Sequence, residues 1–442
     1  MGTSTPFWLT GNYAPIGEER AAVDLPVTGT IPPSLQGRYL RNGPNPREDS
    51  PHWFLGDGML HGIELSGGKA TSYRNRWVRT RQFTDGDQPI GADGSIDRTT
   101  GVANTNIVRH AGRYLALVES SFPTEVGADL STVGPYDFDG ALQCAMTAHP
   151  KTCPTTGELH FFGYSWAPPY LVYAVADRDG VLVHQEEIPV PGPTMVHDFN
   201  LTAGHVVFMD LPIVFDFDLA ITGQFPYRWS DDYGARLGVL ERRAPAESIR
   251  WFDIEPCYVF HPLNAWDDGD RVVIDAARYP ELWRSSSTGG STGATLHRWE
   301  IDLAAGAVKE TPLDDRTVEF PRVADAKVGL AHEWGWTVSG LAFRDGVRSL
   351  DYGNSVLKVG GDGAVAGAFE YGPGRVSDEA VFAPAGDGAA DDEGWLLSYV
   401  YDAGRDASDF VIVDARDLTE TASVALPGRV PFGFHGGWFA DA

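Results

Sequence analysis

Short apolar runs alternate with turn residues along almost the whole chain. The clearest are YLALVES (114–120), LHFFGYS (159–165), HVVFMDL (205–211), RVVIDAA (271–277), WGWTVSG (334–340) and WLLSYVYD (395–402). Each is rich in β-branched and aromatic residues, and most follow closely on a Gly or Asp and end at a polar residue. That pattern predicts β-hairpins. Amphipathic helical periodicity is scarce. Nothing reads as a linker or coiled coil, and SSSTGGSTGA (285–294) and AGDGAADDEG (385–394) read as surface loops.

The centres of these runs lie about 45 to 65 residues apart, a period that suits four-stranded propeller blades. At about 63 residues per blade, 442 residues make seven. Identity between the runs is low, so the rhythm is structural rather than a copied repeat. The expected class is all-β: a seven-bladed β-propeller forming one domain over 1–442, with an array of β-sandwiches as the alternative.

Composition sharpens this picture. The 51 glycines and 30 prolines fit a chain of many turns. The 43% apolar content, with 13 Trp, 16 Tyr and 22 Phe, supplies a large core and excludes global disorder. Acidic residues outnumber basic ones 61 to 34, a net charge of −27 that repels nucleic-acid phosphates and anionic lipid alike. No apolar run reaches the roughly 20 residues of a membrane-spanning helix. The first residues lack the basic start and apolar core of a signal peptide, and three cysteines make no disulfide framework. A reduced, cytoplasmic setting is expected.

Four of the twelve histidines share a context. His149 (MTAHPKTC), His197 (TMVHDFNL), His261 (YVFHPLNA) and His435 (FGFHGGW) each sit by an apolar stretch and are followed by Pro, Asp or Gly, where the chain turns. They are 48, 64 and 174 residues apart, close to one blade, one blade and nearly three. Inner strands of a propeller converge on its axis, so such residues can meet. Four neutral imidazoles meeting there suit a divalent transition metal; buried structural histidines are the alternative. His160, inside LHFFGYS, reads as able to face solvent.

At these segments the sequence resembles the carotenoid cleavage oxygenase family. The resemblance runs from LPVTGTIPPSLQGRYLRNGPNP (25–46) to RVPFGFHGGW (429–438), through FLGDGMLHGI, NRWVRT, ANTNIVRHAGRYLALVES, AHPKTCPTTGELHFFGYS, EPCYVFHPLNAW and DDEGWLLSYVYD. It implies a seven-bladed propeller whose loops and short helices cap an iron-bearing face. It also implies one Fe(2+) held by His149, His197, His261 and His435. Glutamates behind three of the four fall at Glu119, Glu319 and Glu379, with none behind His149. A carboxylate accepting the distal imidazole N–H fixes the tautomer and raises ligand basicity. The chain departs from the family in reading EAVFAP around Glu379, and its short length implies trimmed outer loops.

Four ligands leave two positions on a six-coordinate ion, for dioxygen and for solvent or a substrate contact. The implied reaction is cleavage of a conjugated C=C bond into two carbonyl products, with no covalent nucleophile required. A polyene calls for an apolar tunnel, and Val118, Phe122, Trp166, Tyr170, Tyr258, Phe260, Trp334 and Phe434 are the candidates for its wall. Stilbene-cleaving relatives carry a lysine where Val118 stands and a tyrosine in the loop corresponding to 81–101, which has none here. A carotenoid or apocarotenoid is therefore the expected substrate; a stilbene or phenylpropene, or polyene isomerisation, is the alternative. The segment 211–229 (LPIVFDFDLAITGQFPYRW) is the candidate for peripheral, apolar contact with the inner face of a membrane.

Overall fold

The computed structural model describes residues 5–47, 50–91, 95–285, 287, 293–339 and 353–441. Most of the loop expected at 285–294, and the last residue of WGWTVSG, lie outside them. Seven antiparallel sheets of four to six strands surround a common axis, together with one extra two-stranded hairpin. Each apolar run noted above becomes the second strand of a blade or, for WLLSYVYD, the strand next to the inner edge.

In chain order the first five blades begin at their innermost strands: Asn106–His110, Lys151–Thr152, Phe199–Leu201, Tyr258–Asp268 and Val318–Val323. Blade six has Arg375–Ser377 and Val381–Pro384 at its inner edge and takes Val27–Gly29 as its outermost strand. Blade seven closes the ring: the C-terminal strand Gly436–Ala440 is innermost and pairs with Gly37–Asn45, while Ala21–Val23 forms the outer edge. N-terminal and C-terminal segments thus share two blades.

Propeller blades are buried on both faces, so their middle strands read as nearly unbroken apolar runs. Leu171–Ala176 is buried at every position. The core is divided accordingly into clusters between neighbouring blades: Phe161 and Ala174 between blades one and two, Phe162 and Phe199 between two and three, Trp336 and Phe382 between five and six. His160 belongs to this interior, against expectation. It is fully buried with Nδ1 2.7 Å from the Tyr173 hydroxyl, because the strand Leu159–Tyr164 is covered by its neighbours.

Ring closure rests on one buried cation. Arg41 in Gly37–Asn45 is 1% exposed, pairs with Asp378 of blade six, and donates to the Pro431 carbonyl ahead of His435. Gly433 packs against its guanidinium so closely that a Cβ there would lie 2.6 Å from Arg41 Cζ. The helical elements are short, as at Trp53–Leu55, Arg81–Asp85 and Phe217–Ile221. No helix among the described residues is long and apolar enough to cross a membrane.

Candidate metal centre

His149, His197, His261 and His435 come together on the axis, from the inner edges of blades two, three, four and seven. Local sequence explains how each is aimed inward. Pro150 disfavours helical backbone at His149, just before its strand, and the His149 N–H donates to Thr147 Oγ1 at 3.0 Å. The strand Tyr258–Asp268 changes register between Val259 and Pro262, a bulge that turns His261 toward the axis where Pro262 has no N–H to give. His435 is fixed through its backbone: its N–H donates to the Thr105 carbonyl and its carbonyl accepts from the Asn42 N–H, both at 3.0 Å.

Ring centroids lie 4.5 Å apart for His149 and His197, 4.6 Å for His149 and His435, and 4.7 Å for His261 and His435. One nitrogen from each of His149, His197 and His261 lies within 4.8 Å of the others. The Nε2 atoms of His149 and His261 are buried with no hydrogen-bond partner. Leaving such atoms unpaired is costly, and a metal ion is what a converging set of imidazole lone pairs satisfies. Burial holds His149, His197 and His261 well below the usual imidazole range, so they are neutral and able to ligate at pH 7.

Three glutamates stand behind three of these rings, supplied by the blades that contribute no histidine. Glu319 Oε2 is 2.6 Å from His261 Nδ1, Glu379 Oε1 is 3.0 Å from His435 Nδ1, and Glu119 Oε1 is 3.2 Å from His197 Nδ1. With the carboxylates ionised, Nδ1 of His261 and His435 carries the proton and Nε2 is left for a metal, while Glu119 faces His197 Nδ1 outside hydrogen-bond geometry. Each carboxylate has a further partner that gave no signal in the sequence. The Tyr164 hydroxyl donates to Glu119 at 2.5 Å, the Tyr279 hydroxyl to Glu319 at 2.8 Å, and Arg322 to Glu379 at 3.3 Å.

These partners separate the three acids. Burial pushes Glu119 up to about 8 and Glu319 up to about 7, because a phenol compensates only part of the lost hydration. Burial acts the same way on Glu379, but the Arg322 guanidinium and His435 outweigh it and bring it to about 2. A dication among the imidazoles would draw the first two down as well. Behind His149 the nearest carboxylate is Asp198, whose Oδ2 is 3.7 Å from Nδ1, beyond hydrogen-bond range and committed to Lys151 at 2.9 Å.

Two cavities meet the histidines, with His261, Phe320 and His435 lining both. One, of about 550 Å³, is lined by polar groups including Lys151, Asp198 and Arg322. The other, of about 610 Å³, is mainly apolar and runs from His197, His261 and His435 out to Trp166, Phe215 and Ile90. Val118, Trp166, Phe260 and Phe434 are in its wall, and Glu119 reaches it too.

Four candidates are not in that wall. Phe122 packs into the cluster between blades one and two. Tyr258 is buried behind Phe260, its hydroxyl donating to the Met195 carbonyl at 3.0 Å. Tyr170 is half-buried at a turn, where its carbonyl accepts from the Ser165 N–H. Trp334 lies on the second strand of blade five, away from the axis, with Lys358 Nζ 4.3 Å above its ring. Nearness to a ligand in sequence does not say which face of a strand a side chain takes. The wall is completed instead by Phe54, Tyr164, Phe225, Tyr227 and Phe320. Of these, Phe225 and Tyr227 come from the segment 211–229 already singled out.

The family model described as retinal pigment epithelial membrane protein matches residues 13–440. A carotenoid cleavage oxygenase of Mycobacterium tuberculosis is 40% identical, across 98% of this chain and 97% of its own. The chain belongs to the carotenoid cleavage oxygenase family. The alignment to the mycobacterial oxygenase spans 497 positions, more than the 442 residues of this chain, so the relative carries insertions that this chain lacks. An Arabidopsis thaliana carotenoid 9,10(9',10')-cleavage dioxygenase 1 is 35% identical over 97% of this chain and 89% of its own.

Solved structures of the family agree. A Pseudomonas brassicacearum lignostilbene dioxygenase superimposes with a TM-score of 0.90 at 27% identity, covering 100% of both chains. A cobalt-substituted Synechocystis apocarotenoid oxygenase gives 0.86 at 26%, covering 99% of both. For an oxygenase of this family the glutamates give a direct test. Glu319→Gln is expected to weaken cobalt(II) binding to the metal-free protein by about ten- to a hundredfold. The fold should persist, since the amide oxygen can still accept from Tyr279 or the Phe320 N–H. Unaltered affinity in a metal titration would mean that the charge of Glu319 does not act on the site.

Proposed function

We propose that His149, His197, His261 and His435 hold a ferrous ion, and that the protein cleaves a conjugated C=C bond of a carotenoid or apocarotenoid with dioxygen to give two carbonyl products. The observation that carries this reading is the pair of buried, unpartnered Nε2 atoms of His149 and His261, in a cluster whose His197, His261 and His435 stand at one end of an apolar cavity. When bound, iron supplies the activation of dioxygen. The histidines hold the ion, and Glu119, Glu319 and Glu379 fix three of the imidazoles and offset its charge. Phe260, edge-on to His197, and Phe320, stacked on His261, keep bulk water from the inner end and give a flat polyene a surface to lie on.

The lignostilbene dioxygenase likeness supports a phenolic substrate as a second reading, and the Tyr164 and Tyr227 rings are in the wall. Against it, Val118 offers no charge-assisted hydrogen bond to a phenol, and a buried hydroxyl without a partner pays a desolvation penalty. Kinetics over a panel of carotenoids, apocarotenals and hydroxystilbenes decides. Apocarotenoids are expected to have the higher kcat/KM; fast stilbene cleavage with inert apocarotenoids would reverse the assignment.

The segment 211–229 favours peripheral membrane contact. Leu211, Ile213 and Trp229 are core, but Phe217 is 53% and Ile221 82% exposed on a short helix. Phe217 meets Trp166 of the cavity wall edge-on at 5.9 Å. An apolar substrate could pass there from lipid to the cavity without crossing water, and contact would come from insertion rather than from a net charge of −27.

A further inference from the structure

We infer that Arg98 binds an anionic end of the substrate, so that the preferred substrate is an apocarotenoid bearing a terminal carboxylate; this rests on the polyene reading above. Arg98 is a half-buried part of the wall of the apolar cavity, in the segment joining the short helix Arg81–Asp85 to blade one. Among the described residues it is the one arginine whose side chain has no hydrogen bond, ion pair or ring contact. Its neighbours show how unusual that is in so acidic a chain. Arg81 pairs with Asp87 and Asp97, and Arg79 with Glu19.

The backbone around Arg98 is fixed in advance. The Phe122 N–H donates to the Arg98 carbonyl at 2.7 Å, and Asp97 Oδ1 accepts from both the N–H and the hydroxyl of Thr99, at 2.9 and 2.6 Å. Burial pushes the nearby Cys144 thiol up to about 12, and the Arg98 charge opposes that shift, consistent with a guanidinium facing the cavity, since Cys144 is in the same wall. Arg98 is also the only Lys or Arg among the lining residues. Three acids share the wall: Glu119 accepts from the Tyr164 hydroxyl, Glu186 accepts from the Ala246 N–H at 3.1 Å, and Glu187 is exposed. None pairs with Arg98, so it is the one cationic side chain of the wall left open to an incoming carboxylate.

A guanidinium left without a counter-charge in an apolar wall is poorly solvated, and a carboxylate meets its fork with two charge-assisted hydrogen bonds. A hydrocarbon end cannot. Because a polyene is stiff, anchoring one end also fixes which double bond lies beside the histidines. The same residue would thus set both affinity and the position of cleavage.

The test compares an apocarotenoic acid with its methyl ester at constant chain length. Binding is read by quenching of tryptophan fluorescence, which needs no turnover, and cleavage products are read separately. The acid is expected to bind at least about tenfold more tightly than the ester. In Arg98→Met the two should bind within about twofold of one another, and acid cleavage should spread over neighbouring bonds; Arg98→Lys should keep part of the preference. Equal binding of acid and ester, or an acid preference that survives in Arg98→Met, would overturn the anchor. If both compounds are cleaved without preference, only this inference fails. If the acid binds through Arg98 and nothing is cleaved, the anchor stands and the oxygenase reading falls.

Discussion

His261→Ala is expected to empty the metal centre while leaving the propeller folded. Four-ligand structural sites bind a dication with about 10–16 kcal/mol, so one imidazole accounts for about 3 kcal/mol, or at least a hundredfold in affinity. Activity should fall with occupancy. The fold should tolerate the change because Glu319 is not abandoned: the Tyr279 hydroxyl and the Phe320 N–H, at 2.8 and 2.9 Å, still reach it. Metal analysis and a thermal melt on the same sample separate the two effects. A variant that kept stoichiometric iron and full activity would remove His261 from the site.

Arg41→Met is expected to do the opposite, costing stability before chemistry. Arg41 and Asp378 are both buried, and the pair joins blade seven to blade six where the ring closes. Removing one partner leaves a buried charge uncompensated, a loss of about 3–5 kcal/mol. The pH dependence follows from Asp378. Burial raises it to about 6 even with Arg41 beside it, above its ordinary 3.8, and without the cation it rises further. A folded-state pKa raised in this way gives stability that is present at low pH and lost as pH rises. The variant should therefore be closer to wild type near pH 5 than near pH 8 in denaturant titrations. An equal loss at both values would mean that the carboxylate is not the source. Since Asp378 adjoins Glu379, and Arg41 also holds the Pro431 carbonyl ahead of His435, weaker iron retention should follow.

The four histidines were legible because each stands where an apolar strand meets a turn, at blade-like spacing. The resemblance then singled out Glu119, Glu319 and Glu379, which reach the rings of His197, His261 and His435. What stayed hidden depends on register. Trp334 and Phe260 are both aromatic residues in strands near the site, yet only Phe260 is in the cavity wall, because a strand's pairing decides which face looks inward. Asp198 follows His197 in sequence but lies beside His149 of another blade. Tyr164, Tyr279 and Arg322 complete the carboxylates through contacts that span 40 residues or more, and no local pattern marks them. Arg98 has no motif at all; only the absence of a partner sets it apart.

The most direct test of iron-dependent oxidative cleavage is a mass balance. The iron-loaded protein is given an apocarotenoid with and without dioxygen, and every product is weighed by mass spectrometry. Two carbonyl fragments are expected, formed only with dioxygen, whose masses together equal the substrate plus one dioxygen molecule. A single product of unchanged mass, formed equally well without dioxygen, would contradict cleavage and identify an isomerase.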